Sequence, residues 1–132
     1  MRGRHFILAG LLAASTVCLA KDYGAWLKKV PAKAQARVNP YAGNPQAVAA
    51  GAILFHENCA RCHGDTAEGK GSRPSLRSAQ VRNASDGDLA WILKNGYVFK
   101  GMPRWGGLPE QERWQIIAYI RSLPPLTAGG QQ

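Results

Sequence analysis

With 132 residues and 45% apolar composition, the chain has room for one small domain and little more. It carries 17 Lys and Arg against 8 Asp and Glu, a formal charge of +9, so its surface favours acidic partners and salt should weaken that attraction. A domain of this size often needs a covalent cross-link or a metal to complete its core.

Residues 1–20 have the pattern of a secretory signal peptide: two arginines, an apolar run from Phe6 to Val17, and a small-residue cleavage site. The apolar run is shorter than the roughly 20 residues of a membrane span, so we expect cleavage and no stable membrane insertion afterwards. An uncleaved anchor is the alternative. A lipoprotein signal has Gly, Ala or Ser directly before the lipid-bearing cysteine, whereas branched Val17 precedes Cys18. We therefore expect no lipid on Cys18 and expect it to be removed with the signal peptide.

Residues 21–45 form an N-terminal extension rich in Lys, Ala and Pro. Trp26 and Tyr41 are its main aromatic anchors, while Pro31 and Pro40 interrupt any long helix. We expect this segment to lie over the domain, with at most a short helical turn.

A first helix is predicted to begin at Asn44 and Pro45, a capping side chain followed by proline at the first helical position. Apolar and small residues then recur every three or four positions, which places them on one face. These residues are Val48, Gly51, Ala52, Phe55, Cys59 and Cys62. A glycine inside a helix costs about 1 kcal/mol relative to alanine, so Gly51 indicates a close contact with another helix.

The helix leads into Cys59-Ala60-Arg61-Cys62-His63, the CxxCH pattern of a c-type haem attachment site. Two thiols three positions apart can form thioethers with the haem vinyl groups, and the adjacent imidazole can bind the iron. A disulfide redox pair needs only the two cysteines, and a structural zinc site needs four ligands. The motif therefore predicts one haem c, covalently bound through Cys59 and Cys62 with His63 as proximal ligand.

Beyond the motif, residues 64–84 have no sustained period and read as a loop that wraps a haem edge. Ser85 with Asp88 predicts a capped helix that ends at Gly96. After a second loop, a terminal helix is predicted from Pro109 to the Pro124-Pro125 stop. Residues 124–132 read as a flexible tail. No strand pattern or internal repeat stands out.

Met102 lies in that second loop and is the only methionine left after signal removal. A thioether is a common partner of His in electron-carrying haems. Pro103 favours an extended backbone at Met102, and Gly101 permits close approach to the macrocycle. A methionine beside a proline also serves as a simple core filler. His56 is the competing ligand, but it lies two helical turns before His63 and suits a solvated role better.

The CxxCH motif, the Gly-Met-Pro at residues 101–103 and the order of helices resemble the class I cytochromes c over residues 46–123. The resemblance implies an all-α fold of about three to five helices around one covalently bound haem, with Met102 as the second axial ligand. It implies that Pro74 and Leu76 match a Pro-x-Leu segment whose proline carbonyl accepts a hydrogen bond from His63. It also implies that Gly51 lies under the ring of Tyr119 where the first and last helices cross.

Three further side chains are candidates for the haem rim, either as hydrogen-bond donors to the propionates or as packing residues. They are Trp91, Arg104 and Trp105. A haem edge ringed by some of the basic residues that follow the motif would suit an acidic redox partner. These residues are Lys70, Arg73, Lys94, Lys100 and Arg104.

The predicted function is that of a periplasmic one-electron carrier rather than an enzyme, with no catalytic residues and no nucleic-acid partner. Its predicted donor is a dehydrogenase and its acceptor an oxidase or another cytochrome, met as a monomer or in a transient complex. One alternative is a haem sensor or peroxidase-like protein in which Met102 dissociates. Another is a haem-free CxxC thiol oxidoreductase, although the βαβ context of that motif is not evident.

Overall fold

The computed structural model describes residues 24–126, so the predicted signal peptide lies outside the described residues, as does most of the predicted tail. The described helices are α1 Ala32–Gln35, α2 Pro45–Asn58, α3 Ala60–His63, α4 Ala79–Asn83, α5 Asp86–Asn95 and α6 Glu110–Ser122, with 3-10 turns at Leu27–Lys29 and Val98–Lys100. The predicted all-α class is confirmed. Six helices replace the expected three to five because α1, α3 and α4 are segments of only four or five residues.

Helices α2 and α6 cross and supply the centre of the core. Phe55 of α2 and Ile116 and Ile117 of α6 are completely buried at 0% exposure. The start of α2 is as predicted, because Asn44 Oδ1 accepts a 3.0 Å hydrogen bond from the Ala47 N–H and Pro45 is the first helical residue. No helix within residues 24–126 is long and apolar enough to cross a membrane.

The crossing of α2 and α6 depends on Gly51. A Cβ at this position would lie 1.9 Å from the carbonyl oxygen of Gln115. The predicted close contact is therefore present, but it is made with backbone of α6. The ring of Tyr119, which the resemblance placed over Gly51, packs against Phe55 one turn further along α2, with centroids 5.2 Å apart. Its position over Gly51 stays a prediction.

Helix α5 begins at the predicted capping box. The Asp88 N–H donates to Ser85 Oγ at 3.0 Å and the Ser85 N–H donates to Asp88 Oδ2 at 2.8 Å. The expectation that residues 64–84 lack helical structure is wrong at α4. There, Ser78 Oγ accepts the Val81 N–H at 3.4 Å and caps a five-residue helix. This helix is too short to show an apolar period in the sequence.

Residues 24–44, here called the strap, pack on α5 and α6. Trp26 and Val30 are buried in the core, and a Cβ at Gly87 of α5 would lie 2.0 Å from the Ala34 carbonyl oxygen. Buried Asn39 donates from Nδ2 to the Trp114 carbonyl of α6 at 2.9 Å. The strap is thus fixed to the domain by backbone contacts and by side chains, which agrees with an extension lying over it.

Candidate haem-binding site

The two motif cysteines lie at the junction of α2 and α3. The sequence predicted one continuous helix through them, but Cys59 has φ −118° and separates the two helices. Its carbonyl accepts hydrogen bonds from the Cys62 and His63 N–H groups at 3.1 and 3.0 Å. The three motif side chains therefore project from one short helical turn. Both thiols are free, Cys59 buried and Cys62 half-buried.

His63 is oriented by the hydrogen bond that the resemblance implied. Its Nδ1 lies 3.0 Å from the carbonyl oxygen of Pro74. Because a carbonyl can only accept, the proton belongs on Nδ1 and the lone pair of Nε2 is available for a metal. Burial lowers the pKa of His63, with a further contribution from the Arg73 charge, against the opposing effect of the Pro74 bond. The imidazole is therefore neutral near pH 7, the form that binds iron.

Met102 lies in a closed turn that follows α5. The Tyr97 N–H donates to the Met102 carbonyl at 2.9 Å, and the Met102 N–H donates to the Tyr97 carbonyl at 3.2 Å. These bonds give Met102 the extended pairing that Pro103 favours. The side chain is half-buried against the hydrophobic core, so it is held near the domain interior.

The other predicted site residues lie in different surroundings. Leu76 and Trp105 are half-buried against the core. The backbone N–H of Trp105 donates to the Leu93 carbonyl at 2.9 Å. Arg104 is exposed. Trp91 lines a cavity of about 270 Å³ between the strap, α5 and α6. A propionate role for Trp91, Arg104 and Trp105 stays a prediction.

His56, the competing ligand, is exposed on α2. Its ring lies 5.9 Å from Phe55 and 6.5 Å from Tyr119, measured between centroids. Within residues 24–126, no group of three or more His, Cys, Asp or Glu side chains is gathered that could hold a metal ion by itself. The zinc alternative thus lacks the four ligands that it needs among these residues.

Sequence reasoning did not find the link between the His63 and Met102 loops. Arg73, next to Pro74, donates from Nη1 to the carbonyl of Lys100 at 3.1 Å. The sequence pointed to Arg73 only as one of the five basic residues expected around the haem edge, here called the basic ring: Lys70, Arg73, Lys94, Lys100 and Arg104. Arg73 and Lys100 are 27 positions apart, so no short sequence motif predicts their hydrogen bond.

The donor set fits a covalently bound haem. Two free thiols stand three positions apart beside a neutral imidazole whose Nε2 is available, and a thioether side chain lies in a loop joined to the imidazole's own loop. Thiols, imidazole and thioether are the groups that attach haem and bind its iron in c-type cytochromes. A helical domain with this set is a c-type cytochrome domain.

Comparison with known proteins gives the family. The family model described as "Cytochrome C oxidase, cbb3-type, subunit III" matches residues 46–120, and the chain belongs to this cytochrome c family. The predicted covalent haem c is confirmed at the level of the family, whose CxxCH motif is Cys59 to His63 here. The predicted resemblance to class I cytochromes c is confirmed as well.

Two curated relatives bear cytochrome names. Cytochrome c550 of Pseudomonas aeruginosa is 36% identical over 88 residues, which cover 64% of this chain and 61% of that protein. Cytochrome c-554(547) of Halothiobacillus neapolitanus is 34% identical over 86 residues, which cover 57% of this chain and 94% of that protein. Both names are those of c-type cytochromes, in agreement with the family match.

Two solved structures share the fold. Cytochrome cL of the marine methylotroph Methylophaga aminisulfidivorans is 32% identical with a TM-score of 0.59, covering 66% of this chain and 59% of that one. Cytochrome cL of Hyphomicrobium denitrificans has a TM-score of 0.58 at 23% identity, covering 76% of this chain and 67% of that one, and it supports the fold alone. The matched region spans about three fifths of the Pseudomonas and Methylophaga proteins.

Proposed function

We propose that this chain is a one-electron carrier whose haem c is bound through Cys59 and Cys62, with His63 and Met102 as axial ligands. The observation that carries the proposal is the 3.0 Å hydrogen bond between His63 Nδ1 and the Pro74 carbonyl, beside the free thiol pair. It fixes the tautomer and the ring orientation that an axial ligand requires.

The residues around the site have separate tasks in this proposal. The bound haem supplies the one-electron chemistry. Pro74 keeps the proton on Nδ1 of His63 and makes the ring more basic toward a metal. Tyr97 holds the backbone of Met102 in its turn through two hydrogen bonds. If His63 and Met102 both bind the iron, no position on it would be left for oxygen or substrate.

The free thiols do not suit a thiol oxidoreductase. Attack on a disulfide requires a thiolate, and reactive cysteines accordingly have lowered pKa values. Burial, with the nearby Cys62, raises the pKa of the unmodified Cys59 thiol to about 11. Cys59 is therefore a poor nucleophile at neutral pH and suits a permanent thioether bond better.

Replacing Met102 tests the second ligand. In the ferric haem-loaded protein, Met102→Ala is expected to abolish the weak near-infrared absorption of an iron–thioether bond. It should also lower the reduction potential by roughly 0.1 V, since axial ligands set potentials over a range of about 0.8 V. Visible and near-infrared spectra with a redox titration measure both effects.

His56→Ala is the matched control for that experiment, because His56 is exposed on α2, and it should leave both quantities unchanged. If Met102→Ala retained the absorption and the potential, Met102 would not be the ligand. High-spin iron that binds carbon monoxide readily in the wild-type protein would instead favour the sensor alternative.

The cellular setting is part of the same proposal. The leader-like residues 1–20 and the chemistry of haem c attachment support export to the periplasm. The family description names a subunit of a cytochrome oxidase, which supports an oxidase-linked acceptor, and a dehydrogenase-type protein is the proposed donor. Encounters between redox proteins are small and transient, so we propose a monomer that meets its partners briefly.

Because of the basic ring, we expect the rate of haem reduction to depend on the charge of the electron donor. Four of its five members are exposed and Arg73 is half-buried. With ferrocyanide as an anionic electron donor, the rate of reduction should fall as ionic strength rises, because salt shortens the Debye length from about 10 Å at 0.1 M to about 3 Å at 1 M. With hexaammineruthenium(II) as a cationic donor, the rate should rise. Stopped-flow absorbance measures both.

Reversing one charge locates the effect on the surface. Lys100→Glu should lower the ferrocyanide rate about five-fold at low salt. Lys33→Glu makes the same charge change on α1, outside the ring, and should alter the rate much less. Equal effects of the two substitutions, or a rate independent of salt, would show that the ring does not surround the site of electron transfer.

A further inference from the structure

Two loops meet at the candidate site, and each carries one proposed axial ligand or its hydrogen-bond partner. The first, residues 69–76, is fastened to His63 by the Pro74 carbonyl and by a 2.7 Å hydrogen bond from the Gly69 N–H to the His63 carbonyl. The second, residues 97–103, is closed by the paired hydrogen bonds between Tyr97 and Met102. Each ligand is thus held by its own loop, and their relative position depends on what joins the loops.

The side chain of Arg73 joins them. Its backbone belongs to the first loop, where its N–H donates to the Lys70 carbonyl at 2.8 Å, and its Nη1 donates to the Lys100 carbonyl of the second loop at 3.1 Å. The guanidinium also lies against Gly101. A Cβ at Gly101 would be 2.6 Å from Nη1 and 3.2 Å from Nη2. The residue directly before Met102 therefore leaves room for the guanidinium of Arg73.

The partner of Arg73 is a carbonyl rather than a carboxylate. Among residues 24–126 Arg73 has no ion pair, whereas Arg37 pairs with Glu110 and Arg121 pairs with Asp86. The planar guanidinium has its donors in a fixed arrangement, which suits it to holding a backbone at a set distance and direction. Arg73 therefore fixes the position of the second loop's backbone and does not neutralise a carboxylate.

We propose that Arg73 is a positioning residue that holds the Met102 loop against the His63 loop and so keeps Met102 in its ligating position. This inference rests on the proposed His63 and Met102 ligation. Irregular loops open locally more easily than packed helices. A hydrogen bond that must break before the Met102 loop moves away lowers the fraction of molecules in which that loop is open. An external ligand for the iron then binds with an apparent affinity set by that fraction.

Imidazole is the probe for this opening. In the ferric haem-loaded full chain, Arg73→Gln is expected to increase the apparent imidazole affinity about ten-fold, as the loss of one charge-assisted hydrogen bond implies. Arg73→Lys keeps the charge but loses the planar fork, and it should increase the affinity by a smaller factor. Spectral titration measures the affinity, and the near-infrared absorption reports retained Met102 ligation in the absence of imidazole.

Arg77→Gln is the matched control. Arg77 lies on the same segment, is also half-buried, and donates from Nε to the Pro124 carbonyl at 2.7 Å, away from the Met102 loop. The substitution Arg77→Gln removes the same charge as Arg73→Gln and should change the imidazole affinity less than two-fold. An unchanged affinity in both Arg73 variants, or an equal increase in Arg77→Gln, would overturn the inference. If Met102→Ala kept the near-infrared absorption, the ligation itself would fail; if it lost the absorption while the Arg73 variants behaved as wild type, only the role of Arg73 would fail.

Discussion

Gly51→Ala is expected to destabilise the haem-loaded protein by about 3 kcal/mol, the upper part of the range for overpacking a core. The added Cβ would lie 1.9 Å from the Gln115 carbonyl oxygen and 2.5 Å from its carbon. Both atoms are backbone of α6, so no side-chain rotation can relieve the clash and the two central helices must separate. Guanidinium unfolding followed by far-ultraviolet circular dichroism measures the loss of stability.

The expected loss is large because small domains have only about 5–15 kcal/mol of stability in total. Helix propensity alone would predict the opposite effect of Gly51→Ala, since alanine favours a helix by about 1 kcal/mol over glycine. Gly107→Ala is the matched control, because a Cβ at Gly107 meets nothing within 4 Å. That substitution should change stability by about 0.5 kcal/mol or less. A Gly51→Ala protein as stable as wild type would contradict the close crossing of α2 and α6.

The double substitution Cys59→Ser and Cys62→Ser is expected to remove covalently bound haem completely. A hydroxyl cannot form the thioether bond, and both attachment points are lost together. When the protein is produced in a host that matures c-type cytochromes, the haem stain of the protein band on a denaturing gel should fall to background. Any haem held by His63 and Met102 would then lack a covalent bond and would be lost on denaturation.

Cys62→Ser alone retains one attachment point at Cys59 and is expected to keep a weaker haem-stained band. His56→Ala leaves the motif intact and should stain as wild type. A double variant that still carried haem through denaturation would show attachment at some other residue. A wild-type protein that was folded but colourless would contradict the proposed function as a whole.

The local parts of this fold could be predicted because their causes lie within a few residues of one another. The Asn44 cap acts on a residue three positions later, and the Ser85–Asp88 capping box closes within four residues. The CxxCH motif carries its chemistry within five consecutive residues, so the covalent haem and the family were evident from the sequence. The Pro74 bond to His63 was implied only through the family resemblance.

Two local features were missed. Helix α4 has five residues and no apolar period, so only its Ser78 cap could have revealed it. The break at Cys59 interrupts a stripe of apolar residues that continues on both sides. Periodicity reports which residues share a face, but it does not report a change in backbone direction between two helices.

By itself the sequence determined the helix caps, the haem attachment site and His63 as a candidate ligand, because short-range spacing and residue chemistry specify all three. The all-α class and Met102 as the second ligand were implied by the resemblance to class I cytochromes c. Only the tertiary structure decided which surfaces meet: Gly51 against the Gln115 backbone, Asn39 against the Trp114 carbonyl 75 positions away, and Arg73 against Lys100 27 positions away. The physical reason is that such contacts form when whole elements pack, and the free energy that selects them comes from burial summed over the domain, which no single stretch of the chain encodes.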